Sequence, residues 1–131
     1  MNIAKSLARD RSHDPRLQVC AIIVPEDNTG ILALGYNGMQ RGGPNVVASL
    51  EPGKSETLHA ELNCIIKAPF HYPLKKHMYL THSPCVACSK IIVNANISRV
   101  VYDVLYRDDA GLDVLRSARV DVLQLGDAIS L

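Results

Sequence analysis

Apolar residues at Ile3, Ala4, Leu7 and Ala8 recur at helical spacing and predict a short amphipathic helix over Asn2 to Arg9. A polar stretch from Asp10 to Arg16, containing Pro15, ends it. The period then changes. Val19 to Val24 is an unbroken apolar run, Val-Cys-Ala-Ile-Ile-Val, closed by Pro25, and its length and β-branched content predict a strand buried on both faces. Asp27-Asn28-Thr29-Gly30 signals a turn, so Ile31 to Tyr36 is expected to return as the second strand of a hairpin.

Asn37 to Lys54 holds four Gly and two Pro without periodicity and reads as a long loop, a length that in compact domains often carries function. Thr57 is the expected cap of a helix running to about Lys67, with Leu58, Leu62, Ile65 and Ile66 at core-facing spacings. Pro69 and Pro73 break that helix. Beyond them the pattern predicts a strand over Met78 to Thr81, a helix over Pro84 to Asn94 and a strand over Arg99 to Tyr102. A helix over Asp109 to Ala118 and a last strand over Val120 to Leu125 complete the chain. No internal repeat, linker or low-complexity tract interrupts this order. Strands alternating with helices after an opening hairpin predict an α/β fold, a three-layer α/β/α sandwich around a mixed central sheet of about five strands. A ligand site is expected where strand-end loops meet helix starts.

A chain of 131 residues can close one hydrophobic core, so a single domain over residues 1–131 is expected. With 47% hydrophobic and 21% charged residues it reads as an ordinary soluble globular protein. The net charge of +1 gives no global attraction for a polyanion, and one Phe with no Trp leaves few platforms for stacked bases beyond the five Tyr. Nucleic acid is therefore not the expected partner. Met1 to Asp10 lacks the apolar core of a secretory leader, and no run is long enough to span a bilayer, which makes the cytoplasm the default location. In a reducing compartment a C-x-x-C pair points to metal or redox chemistry rather than to a structural disulfide.

That pair is Cys85 and Cys88, preceded by Pro84, and it has a companion in His59-Ala60-Glu61, with 26 positions between His59 and Cys85. If the two predicted helix starts converge, one imidazole and two thiolates occupy three corners of a tetrahedron around Zn²⁺ and leave the fourth for water, as in a catalytic zinc site. Helix amino termini also favour thiolate over thiol. Two thiolates formally neutralise the metal, so its water is less activated than in a three-imidazole site and a nearby proton acceptor gains value. Glu61 sits too awkwardly to bind the same metal but close enough to take that proton and to return it to a ring nitrogen and a departing amine. A lone C-x-x-C is often structural or redox, and a lone His-x-Glu is usually a solvated helix start. The joint pattern is far more specific.

The segments His59-Ala60-Glu61 and Pro84-Cys85-Val86-Ala87-Cys88 together resemble the signature of the zinc-dependent nucleoside and nucleotide deaminases, H-x-E with P-C-x-x-C. Gly35-Tyr36-Asn37-Gly38-Met39, His59-Ala60-Glu61-Leu62-Asn63, Thr81-His82-Ser83-Pro84-Cys85 and Tyr106-Arg107-Asp108 narrow the resemblance to the deoxycytidylate (dCMP) deaminases, from about Ser12 to Gln124. The resemblance implies hydrolytic deamination of dCMP to dUMP by a zinc-activated water, with a small-molecule nucleotide as substrate. It implies that Asn37 bonds the sugar, that the Ala60 backbone and Ser83 line the base pocket, and that Arg16, Tyr106 and Arg107 approach the 5′-phosphate. It also implies a homo-oligomer, often a hexamer.

The chain departs from the family between Asn37 and Thr57, where many dCMP deaminases carry further Cys and His ligands and this sequence has neither. A second zinc is not expected there, and regulation by dCTP or dTTP is put in doubt. Cys20 and Cys64 read as small buried hydrophobes, His13, His71 and His77 as surface or loop residues, and His82 as a loop-exposed imidazole beside the site. Two other readings compete with dCMP deamination within and outside the enzyme class. A deaminase acting on another cytosine compound or on tRNA shares the zinc signature; near-neutral charge, absent Trp and Tyr106-Arg107-Asp108 argue against a polynucleotide. A non-catalytic zinc-stabilised binding module is the other, and Glu61 argues against it, because a structural site has no use for an unligated carboxylate.

Overall fold

The computed structural model describes residues 1–11, 18–43, 57–69, 71–106 and 108–126. Its elements run α1 (Asn2–Arg11), β1 (Cys20–Pro25), β2 (Ala33–Tyr36), α2 (Ala60–Lys67), β3 (Lys76–His82), α3 (Val86–Asn94), β4 (Ile97–Val104), α4 (Ala110–Ser117) and β5 (Asp121–Gln124). The five strands form one mixed sheet in the order β2-β1-β3-β4-β5. β1 lies antiparallel to both β2 and β3, with Cys20 opposite Tyr36 and Ala21 opposite Leu80. β3, β4 and β5 are parallel, joined by crossovers through α3 and α4, because parallel neighbours cannot be linked by a tight turn.

β1 explains its own apolar run. All six of its residues are buried, and alternate side chains enter different cores. Cys20, Ile22 and Val24 pack under Ala4 and Ala8 of α1. Ala21 and Ile23 face the opposite layer, with Ala60 and Cys64 of α2, Ile92 of α3, and Leu112 and Leu115 of α4. The sheet therefore has α1 on one face and α2, α3 and α4 on the other, the expected three-layer arrangement. Lys5 Nζ reaches Asp103 Oδ2 at 2.8 Å and links α1 to β4. No helix among the described residues is long and apolar enough to cross a membrane.

Two helix starts differ from the sequence expectation. Gly38 and Leu58 exchange backbone hydrogen bonds of 3.1 and 2.7 Å, and this bridge keeps the chain extended through His59, whose ψ is 149°. The helix expected to be capped at Thr57 begins only at Ala60, with His59 as its N-cap residue. α3 likewise begins at Val86, two residues after Pro84, with Cys85 as N-cap. The loop expected from Asn37 to Lys54 lies for the most part outside the described residues, as do His13 and Pro44 of the Gly42-Gly43-Pro44 turn.

Candidate metal centre

Both delayed starts place a donor at the mouth of a helix. His59 at the N-cap of α2 and Cys85 at the N-cap of α3 are extended residues, and Cys88 lies within the first turn of α3. The Cys85 sulfur accepts from the Cys88 amide at 3.5 Å, capping α3 with a thiol where Ser or Asp is usual. His59 Nδ1 stands 3.2 Å from Cys88 Sγ and 3.7 Å from Cys85 Sγ, and the three donor atoms lie within 4.8 Å of one another. Zinc bonds of roughly 2.0–2.1 Å to nitrogen and about 2.3 Å to sulfur give tetrahedral N···S edges of about 3.5 Å. The observed spacing brackets that edge, and the donors are those zinc prefers.

The electrostatics give the same answer. A hydrogen bond from the Cys88 thiol, then one from His59, holds Cys85 down at about 3. Cys88 is pushed up by the hydrogen bond it gives to Cys85, by burial and by the neighbouring Glu61. Two sulfurs sharing one proton beside a carboxyl group form a site that a divalent cation relieves by displacing the proton. His59, Cys85 and Cys88 therefore fit Zn²⁺, with one tetrahedral corner left to a non-protein ligand among the described residues. Glu61, in the first turn of α2, is 4% exposed. Burial pushes its carboxyl above the ordinary range, while its own backbone amide, His59 and the Cys88 thiol pull the other way.

Among the remaining candidates, Asn37, Ser83 and Tyr106 are fixed by hydrogen bonds across the fold. Asn37 is buried, and its Oδ1 accepts from the Val19 amide at 2.9 Å, immediately before the Gly38–Leu58 bridge that leads to His59. Ala60 is 1% exposed at the first position of α2. Ser83 is buried, and its Oγ accepts from the Tyr106 amide at 2.7 Å, so the two lie together at the ends of β3 and β4. Arg16 and Arg107 lie outside the described residues. His82, expected to be an exposed loop imidazole, is instead half-buried at the end of β3, with its ring edge-to-face on Tyr106. Cys20 and Cys64 are fully buried, as expected.

Gly35 entered the sequence reading only as part of a motif and Gly111 was not singled out, and the packing role of both was missed. A Cβ on Gly35 would collide with the Cys64 nitrogen and stand 2.7 Å from the Ala60 carbonyl oxygen, so the glycine lets α2 lie directly on β2. A Cβ on Gly111 would collide with the Pro84 carbonyl and stand 2.9 Å from the Cys85 carbonyl carbon, so α4 presses on the segment that carries Cys85. A glycine inside a helical pattern is a signal of such close packing, and Gly111 gave it.

An open mixed α/β sheet with a His-Cys-Cys centre at two helix starts and a buried carboxyl group beside it defines a zinc-site α/β protein. Residues 1–104 match the profile of the cytidine and deoxycytidylate deaminase zinc-binding region, and the chain belongs to that family. The chain is 35% identical over 104 residues to human deoxycytidylate deaminase, covering 73% of this chain and 58% of that protein. It is 35% identical over 109 residues to a probable deoxycytidylate deaminase of Drosophila melanogaster, covering 73% and 53%. The chain thus spans about half the length of the curated relatives it matches. Among solved structures, dCMP deaminase from the cyanophage S-TIM5 in complex with dCMP and dUMP superposes with a TM-score of 0.81 at 34% identity, over 95% of this chain and 92% of that one.

Proposed function

We propose that this chain deaminates dCMP to dUMP and ammonia by hydrolysis. The observation that carries the reading is the buried Glu61 carboxyl group set beside three converging zinc donors, His59, Cys85 and Cys88. Likeness along nearly the whole chain to a phage dCMP deaminase crystallised with dCMP and dUMP supports the choice of substrate. When bound, zinc supplies a Lewis acid that makes water nucleophilic near neutral pH.

Glu61 accepts the proton released as water attacks the amidine carbon of cytosine. It gives that proton to the adjacent ring nitrogen, then takes the remaining proton of the added hydroxyl and passes it to the amino group as the hydroxyl becomes the carbonyl, the carbon–nitrogen bond breaks and ammonia leaves. Burial suits it to both directions, because a carboxyl group raised above its ordinary range is a better acid–base shuttle near neutrality. Asn37 holds the sugar, the Ala60 backbone and Ser83 border the base, and Arg16, Tyr106 and Arg107 take the 5′-phosphate, for which Arg offers a forked pair of donors. The reading includes a homo-oligomer, for which exposed Ile66, Val104 and Leu105 supply apolar surface, and a cytoplasmic setting that keeps Cys85 and Cys88 reduced.

Ammonia release from a panel of dCMP, CMP, deoxycytidine, dCTP, cytosine and tRNA tests it. dCMP is expected among the best substrates. A panel led by a nucleoside or by tRNA, with dCMP poor, overturns the substrate.

A further inference from the structure

Thr81 is buried, and its Oγ1 accepts from the Cys20 amide at 3.0 Å. The same hydroxyl lies 3.0 Å from His82 Nδ1, a hydrogen bond that ties one edge of the imidazole to Thr81. Burial holds His82 below the usual imidazole range. The ring so fixed meets Tyr106 edge-to-face, with centroids 6.3 Å apart and planes at 86°. Tyr106 is also tied by its backbone to the same strand end: its amide donates to Ser83 Oγ at 2.7 Å, and the Ser83 amide donates to the Val104 carbonyl at 2.9 Å. Ser83 thus sets where the Tyr106 backbone lies, while His82 sets where its ring lies.

We propose that His82 is a positioning residue, whose Thr81-anchored imidazole orients the Tyr106 ring toward the phosphate end of the substrate. The proposal rests on the reading of Tyr106 as a phosphate contact. It makes the backbone amide of Cys20, on the central strand, the first link of a chain that ends at substrate recognition.

The test compares wild type with His82→Ala and His82→Phe, on dCMP and on deoxycytidine. His82→Ala is expected to raise KM for dCMP about five- to tenfold, the fold-change that an aromatic pair of this geometry corresponds to. kcat, zinc content and kcat/KM for deoxycytidine are expected to stay within about twofold. His82→Phe keeps a ring against Tyr106 but loses the hydrogen bond to Thr81, and is expected to recover only part of the loss. Equal effects on the two substrates, loss of zinc, or a His82→Phe enzyme as poor as His82→Ala overturns the proposal alone. A wild-type protein that releases no ammonia from dCMP overturns the parent reading and this one with it. If His82→Ala does not fold, the same comparison between His82→Phe and His82→Gln decides.

Discussion

Glu61, Cys20 and Cys64 illustrate how burial acts on single residues here. Removing water from around Glu61 makes its charge costly, which is a liability for the fold and an asset for a group that must give a proton back. Glu61→Gln keeps the shape and removes the proton carrier. Ammonia release from dCMP is expected to fall by about 10²–10⁴-fold with zinc content unchanged, and near-normal turnover would remove Glu61 from the chemistry. Burial acts on Cys20 and Cys64 without any functional return: it pushes their thiols up to about 11 and about 12. In the unfolded chain they ionise from about pH 8.5. Because the folded values are the higher ones, the stabilising contribution is complete below that pH and is lost as pH rises toward 11–12. Unfolding free energies from denaturant melts between about pH 7 and 10.5 are expected to fall, by up to about 1.4 kcal/mol per pH unit for each thiol. Cys20→Ala and Cys64→Ala are each expected to flatten that slope, and an unchanged slope in both contradicts the assignment.

At the scale of elements, what was legible in the sequence depended on the range of the interaction. β1 was readable because a strand buried on both faces must be apolar throughout, and the run Val19 to Val24 says so without reference to the rest of the chain. His59, Glu61, Cys85 and Cys88 were readable because their spacing within each helix start is local. The helix starts themselves were not, because the bridge that delays α2 joins Leu58 to Gly38 across the intervening loop, and no property of Thr57 reports it. β4 runs Ile97–Val104, longer than the expected Arg99 to Tyr102, since pairing with β3 from Ile97 to Val104 extends it past the four residues that also pair with β5. Gly35 and Gly111 are long-range in the same sense: each is a place where another element's backbone comes too close for a side chain. Gly35→Ala and Gly111→Ala are each expected to cost about 1–3 kcal/mol in thermal or denaturant unfolding, by overpacking against backbone that cannot yield. They should differ in metal content. Gly111→Ala displaces the Pro84–Cys85 segment and is expected to weaken zinc retention in dialysis against a chelator, whereas Gly35→Ala should do so less, because it presses on the body of α2 behind His59.

For the whole molecule, the metal centre closes what the sheet leaves open. α2 and α3 are linked in sequence through β3 and both pack on the same face of the sheet, and the two sulfurs at the start of α3, once ionised, repel each other and the Glu61 carboxylate of α2. With the two sulfurs and Glu61 within reach of one another, ionising both thiols without a cation concentrates negative charge in a partly buried space. A bound Zn²⁺ reverses that balance and cross-links two helices through three side chains, so its binding energy adds to folding as any ligand selective for the native state does. Stripping the metal with a chelator is accordingly expected to lower Tm and to abolish ammonia release together, and one equivalent of Zn²⁺ per chain should restore both. For a ligand present at 100 times its dissociation constant the stabilisation is about 2.7 kcal/mol, enough to move the Tm of a domain of this size by several degrees. Cys88→Ala is expected to give the low Tm of the stripped protein and no response to added zinc. A variant that still gains stability from zinc would show that the ion binds somewhere other than between α2 and α3.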